Sequence, residues 1–169
     1  YKSVFEKAQK LGVKYFTFHG DRIYASGSDE LTDIAAETFN KLADSAKEFG
    51  ITLCLENVSW CKSKSPDYIK SVAEKVRNIG FTLDLKQARR AGVDYSEYLS
   101  AMGNRLLNIH VSDFDDKCDC LLPGTGKFDF KKFKTDNSYE EACTDKLKII
   151  TANTMLSTDG AINGYIRYN

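Results

Sequence analysis

The sequence predicts an α/β fold with parallel strands, and three observations predict it. Short, apolar, β-rich runs alternate with longer stretches whose apolar residues recur at helical spacing. Strands alternating with helices of this length build βαβ units and pair in parallel. The strand-like runs are apolar almost throughout, as strands covered on both faces should be. Their few polar residues stand at the C-terminal ends, the edge where parallel α/β folds build their sites.

Each element has its own signal. Lys2 to Leu11 reads as a helix leading into a first strand, Val13 to His19 (VKYFTFH), which ends at Gly20. A loop from Asp21 to Gly27 follows. Ser28 is the expected N-cap of a long helix with Leu31, Ile34, Ala35, Phe39, Leu42, Ala43 and Ala46 on one stripe, and Gly50 is its C′ residue. Ile51 to Val58 (ITLCLENV) is a buried strand. Ser65-Pro66-Asp67 opens the next helix, with Pro66 in its first turn and Ile69, Val72, Ala73 and Val76 facing inward. Phe81 to Leu85 (FTLDL) is a third strand, Tyr95 to Met102 a short helix, and Leu106 to Val111 (LLNIHV) a fourth strand. After Phe130 the chain turns to Asn, Thr, Asp and Lys, with one strand-like run from Leu147 to Ala152.

Composition narrows the function. The chain has 169 residues, 24 of them basic and 24 acidic, so its formal net charge is zero. Neutrality removes the basic footprint of a strong nucleic-acid binder. No run of about 18 apolar residues is present to span a membrane. No charged n-region followed by an apolar stretch marks a secretory signal, and the expectation is a cytoplasmic protein. The cysteines, Cys54, Cys61, Cys118, Cys120 and Cys143, number 5. An odd count outside a small disulfide scaffold reads as reduced thiols. Cys118 and Cys120 form C-x-C with no second pair nearby, short of the four ligands a structural zinc wants.

Four strand-end residues are candidates for a site: His19, Glu56, Asp84 and His110. Two carboxylates and an imidazole from neighbouring strands make a mixed O/N set suited to Mn²⁺, Co²⁺ or Mg²⁺, with Zn²⁺ also accommodated. Any one of them alone reads more readily as a satisfied polar residue. Three in register on consecutive strands favour a site, because an ionised carboxylate ending a buried run is costly unless paired or metal-bound. His19 reads as a fourth ligand, a substrate contact or a histidine satisfied by its loop. Lys86 and Gln87 follow Asp84 and can reach the same mouth. Trp60 reads either as a wall against a sugar face or as core. Asp113 reads as a partner of His110 or of a substrate hydroxyl, or as a turn residue.

The stretches LGVKYFTFHG, FGITLCLENV, GFTLDLKQA, LLNIHVSD and LPGTGKFDF, in this order between Leu11 and Phe130, resemble the xylose isomerase-like TIM barrels. That superfamily includes sugar-phosphate isomerases and epimerases, ketose 3-epimerases, inositol-catabolism enzymes and endonuclease IV. The resemblance implies a partial (β/α)8 barrel, from about strand four to strand eight, lacking the first three βα units. It divides the chain into a barrel part, residues 1–133, and a divergent C-terminal segment, 134–169. It implies that Glu56, Asp84 and His110 bind a divalent metal and that Glu56 also serves as acid/base. His19, Trp60, Lys86, Gln87 and Asp113 are then the candidates for substrate binding. Many relatives have a His where this chain has Gln87, a poorer ligand.

The implied activity, in carbohydrate metabolism, is metal-assisted proton transfer α to the carbonyl of a sugar or sugar phosphate. Two departures bear on it. The chain is shorter than the roughly 250 residues usual for this architecture. The family's second catalytic Glu, also the fourth ligand, falls here on Lys146, or on Asp145 with a one-residue slip. Two other readings stand beside the isomerase. An endonuclease IV-like phosphodiesterase needs more His ligands than the 2 present. A non-catalytic barrel fragment would have open strand edges that invite pairing with another chain, including a second copy.

Overall fold

The computed structural model describes residues 1–23 and 30–136 and, of the remainder, the backbone of two short strands. In chain order the elements are α1 (Lys2–Lys10), β1 (Tyr15–Phe18), α2 (Asp33–Lys47), β2 (Thr52–Glu56), α3 (Pro66–Lys75) and β3 (Ile79–Asp84). Then come α4 (Leu85–Ala91), α5 (Tyr95–Met102), β4 (Leu106–His110) and α6 (Phe130–Asp136). A separate antiparallel pair joins β5 (Met155–Leu156) to β6 (Ile162–Asn163). The expected strand at Leu147 to Ala152 lies outside the described residues.

Strands β1 to β4 form one sheet in chain order, with every neighbouring pair parallel. The α/β class and the parallel pairing are those the sequence predicts. Period-two alternation gives the strands two unlike faces. Phe16, Phe18, Leu53, Leu55, Phe81, Leu83 and Ile109 pack with the helices in two clusters. One is built on α2, α3 and α5, and the other joins Phe5 and Ala8 of α1 to Ala43 and Ala46 of α2. The alternate residues Thr17, Cys54, Glu56, Thr82, Asp84, Asn108 and His110 belong to the other face.

That second face is concave. The hydroxyls of Thr17 on β1 and Thr82 on β3 are 2.9 Å apart although β2 runs between them. Adjacent strands are spaced about 4.8 Å apart, so a flat sheet would hold these side chains nearly twice that distance apart. Curling also demands a small residue below them. A Cβ on Gly80 would sit 2.5 Å from Leu107 Cδ1 and 3.1 Å from Cys54 Sγ.

Two expectations need correction at α2. The helix starts at Asp33 and its cap is Thr32, whose Oγ1 accepts the Ala35 N–H at 3.2 Å. Ser28, the expected cap, lies outside the described residues. The buried stripe is Ala36, Phe39, Ala43 and Ala46. Ile34 is off it and 80% exposed, while Leu31 precedes the cap and is buried beside Ala36. An apolar residue before the cap packing on the first turn is a hydrophobic staple, and it imitates a helical period in the sequence. The start of α3 is as read, with Ser65 Oγ accepting from Tyr68 N–H and Pro66 first in the helix. Sequence reading did not find α4. Among the described residues no helix is long and apolar enough to cross a membrane.

Candidate metal centre

β2, β3 and β4 end together, and the concave curl brings their last inward side chains to one point. One ligand atom each from Glu56, Asp84 and His110 lies within 4.8 Å of the others. His110 Nδ1 is 3.4 Å from Glu56 Oε1 and 3.5 Å from Asp84 Oδ2. Glu56 and Asp84 are buried and His110 is half-buried. Three O/N donors converging from one side, with both carboxylates taken from water, fit a divalent cation and leave its far side for water or substrate.

Charge balance governs the site when no metal is bound. Burial works against the His110 imidazolium, but contact with Asp84 and Glu56 outweighs it and raises the ring to about 9. Burial likewise opposes ionised Asp84, yet His110, the Gln87 N–H and Lys86 hold its carboxyl below the ordinary range. With no metal bound, the proton on His110 supplies the positive charge that offsets the two carboxylates. A folded pKa above the unfolded one means that the proton stabilises the metal-free fold. That contribution is complete below about 6.5 and is lost as pH rises to about 9. Metal-free protein is expected to weaken against urea over that interval. His110→Gln is expected to remove the decline, and an identical profile in the variant would refute it.

The ligand spacing is fixed through the backbone. Asn57 follows Glu56 and is fully buried. Its Oδ1 accepts the Asp84 N–H at 2.6 Å, and its Nδ2 donates to the Asp84 carbonyl at 3.0 Å. This side-chain amide prolongs the β2–β3 ladder beyond the strand end and ties the two carboxylate-bearing residues together. Asp84 also caps α4, its Oδ1 accepting the Gln87 N–H at 2.8 Å. Sequence reasoning missed Asn57. Its only signal was an amide inside an otherwise apolar run.

The substrate candidates divide in two. His19 and Trp60 come together at the mouth, because the loop after β1 pairs with the loop after β2 through Arg22 and Cys61. His19 Nε2 is 3.5 Å from Glu56 Oε2. The His19 and Trp60 rings meet edge to face at 6.0 Å, and Trp60 is 44% exposed. Lys86 stands near enough to Asp84 to act on its charge. Gln87 and Asp113 instead serve the scaffold. Gln87 Oε1 accepts from Ser59 N–H at 3.1 Å and Ser59 Oγ–H at 2.8 Å.

Asp113 is buried and its carboxylate accepts four backbone N–H groups. Phe114 and Phe128 donate to Oδ1 at 2.8 and 2.9 Å, Gly124 and Gly126 to Oδ2 at 3.0 and 2.8 Å. Burial alone would raise this carboxyl, and the four donors hold it below its ordinary value. A Cβ on Gly126 would run into the Phe114 carbonyl and the Asp113 carboxylate. The loop is clamped to α4 as well: Asp119 pairs with Arg89 and Arg90, and the Arg89 guanidinium lies 4.5 Å from the Phe114 ring centre. Cys118 and Cys120 belong to this loop, Cys118 exposed and Cys120 half-buried. Lys146 and Asp145 lie outside the described residues.

A family model for the xylose isomerase-like TIM barrel matches residues 1–135. The chain belongs to this family. Among solved structures it is similar to the IolI protein with a bound zinc atom, with a TM-score of 0.70 and 21% identity over 86% of this chain and 56% of that one. The probable 3-DHS dehydratase AsbF of Bacillus anthracis gives 0.70 at 10% identity, over 86% and 60%. A D-allulose 3-epimerase from a Methylomonas species gives 0.61 at 17%, over 83% and 51%. No curated protein matches the chain. At these identities the likeness shows the fold, a four-stranded parallel part of a TIM barrel. The chain spans between 51% and 60% of the length of these structures.

Proposed function

We propose that this xylose isomerase-like chain carries the metal-assisted proton-transfer site of a sugar or sugar phosphate isomerase or epimerase. The convergence of Glu56, Asp84 and His110 within 4.8 Å is the observation that carries the proposal. The structural neighbours named as a D-allulose 3-epimerase, a 3-keto-D-glucoside 4-epimerase and a sugar phosphate isomerase/epimerase support it.

A divalent metal (Mn²⁺, Co²⁺ or Mg²⁺, with Zn²⁺ also accommodated) would supply polarisation of a sugar carbonyl and its neighbouring hydroxyl. Asp84 and His110, with one carboxylate oxygen of Glu56, would hold it. Glu56 has two tasks: one carboxylate oxygen turns toward His110, and the other toward His19 and the open mouth. That second oxygen takes the proton α to the carbonyl. Trp60 offers an apolar wall to a sugar face, with His19 beside it. Lys86 offers a cation to a substrate hydroxyl or phosphate. Gln87 and Asp113 act on the substrate indirectly, by shaping the mouth.

The test is exchange of substrate hydrogen with D₂O. Protein loaded with Mn²⁺ or Co²⁺ is expected to wash deuterium into C2 or C3 of at least one ketose or ketose phosphate in a panel, and Glu56→Gln to stop it. Metal binding without exchange on any sugar would overturn the isomerase reading and leave a non-catalytic binding fragment. Cleavage of an abasic-site oligonucleotide would replace it with the endonuclease.

A further inference from the structure

The C-x-C pair in the loop after β4 has a geometry that its sequence did not disclose. Cys54 and Cys61 are buried, whereas Cys118 is exposed and Cys120 half-buried, and none of these is disulfide-bonded. The Cys118 thiol folds back along the chain and donates to the Cys120 carbonyl at 3.5 Å. A carbonyl oxygen lies about 2.4 Å from its own Cα by standard bond lengths, so Cys118 Sγ stands within about 6 Å of the Cys120 Cα. A disulfide joins residues whose Cα atoms are about 4.4–6.8 Å apart. Residues two apart in an extended chain sit near the upper end of that range, and this chain bends at Asp119 between them.

Both ends of the pair are held. On one side Asp115 Oδ1 accepts the Lys117 and Cys118 N–H groups at 2.8 and 2.7 Å, and the Cys118 carbonyl accepts the Asp115 N–H at 3.0 Å. On the other, Leu121 exchanges two backbone hydrogen bonds with Asp113, at 2.9 and 2.7 Å. Only Asp119 lies between the thiols, and its carboxylate pairs with Arg89 and Arg90 of α4. That helix starts at the candidate ligand Asp84 and carries Lys86. The ring closed by a Cys118–Cys120 bond would be small and would contain the Asp119 backbone. Peptide units are planar, so closure has to turn the dihedrals at Asp119 and with them its carboxylate.

We propose that Cys118 and Cys120 are a reversible modification site: a small-molecule disulfide oxidises the pair to an internal disulfide, and closure loosens the hold of Asp119 on α4. The exposed Cys118 attacks first, as its thiolate, on a disulfide of the glutathione class. One new S–S bond forms and one glutathione thiolate leaves. The Cys120 thiolate then attacks Cys118 Sγ and expels the second glutathione. The two protein thiols give up two electrons and two protons, and the small disulfide is reduced to two thiols.

The full chain is equilibrated in buffers of stepped reduced-to-oxidised glutathione ratio, blocked with an alkylating agent and measured by intact and peptide mass spectrometry. The expected result is loss of two hydrogens per chain, with Cys118 and Cys120 losing alkylation together and regaining it in dithiothreitol. Cys120→Ser is expected to stop at a glutathione adduct on Cys118. A lasting adduct in wild type, pairing with Cys143 or between chains, or no reaction would each overturn the site. Hydrogen exchange tests the coupling. In the oxidised chain the Arg89 and Arg90 amides are expected to exchange up to about five-fold faster, the most that a part-exposed ion pair typically contributes. The Cys118→Ser, Cys120→Ser double variant, treated alike, should show no change. Equal exchange in the oxidised and reduced chains would overturn the link to α4.

Discussion

Asp84→Asn is expected to abolish metal binding while leaving the fold in place. Asn keeps an Oδ1 for the Gln87 N–H and is as good an N-cap as Asp for α4. The two bonds from Asn57 go to the Asp84 backbone and survive the change. What disappears is the negative charge and one anionic ligand. The affinity for Zn²⁺ or Mn²⁺ should fall by more than about 100-fold, beyond the range typical of residues behind the ligands. Titration calorimetry on metal-free protein measures it, with thermal unfolding as the control for folding. His110 should also move back toward its ordinary pKa, since Asp84 is the foremost partner raising it. Undiminished affinity would take Asp84 out of the centre.

Asp113→Ala is expected to cause the largest loss of stability of any single change in the loop after β4. The substitution strips four backbone N–H groups of their acceptor. An orphaned buried donor costs about 1–3 kcal/mol, and partial rehydration of the loop limits the total to roughly 3 kcal/mol or somewhat more. Against a total stability of roughly 5–15 kcal/mol this is a large share. Because the Asp113 carboxyl sits below its ordinary value in the fold, its contribution is present above the unfolded pKa and is lost as pH falls through the folded one. The variant should therefore also show a shallower loss of stability in acid. Hydrogen exchange locates the effect: the amides of Phe114, Gly124, Gly126 and Phe128 should exchange faster while those of β2 do not. Unchanged exchange at those four would refute the clamp.

The readable part of this protein was the part written in local pattern. Apolar runs ending in Glu56, Asp84 and His110 announced both the parallel strands and the candidate ligands, because a charged residue closing a buried run is conspicuous in one dimension. Ser65-Pro66 announced α3 in the same way. Features that depend on a second segment were not readable. Asn57 acts across to β3, yet in the sequence it is one amide near the end of an apolar run. Asp113 finds its donors as far on as Phe128, a closure no spacing reveals. The helix α4 was hidden because Leu85–Ala91 is short and its N-cap is also a candidate ligand. Ile34 misled because Leu31, a staple residue before the helix, leaves the same periodic trace as a core residue within it and drew Ile34 onto the expected stripe.

The two unlike faces of the sheet have a consequence for how such a protein can change. Leu53, Leu55, Phe81, Leu83 and Ile109 hold the strands to the helices, while Glu56, Asp84 and His110, on the alternate positions, present the candidate ligands on the other side. The distances between Glu56, Asp84 and His110 follow from strand register, the curl of the sheet and the Asn57 amide, none of which depends on which aliphatic side chain fills the outer layer. Robustness and chemical identity are thus inherited through separate sets of positions. The outer layer is free to drift among apolar residues of similar volume without retuning the centre. A single register slip between β2 and β3 would dismantle it at once.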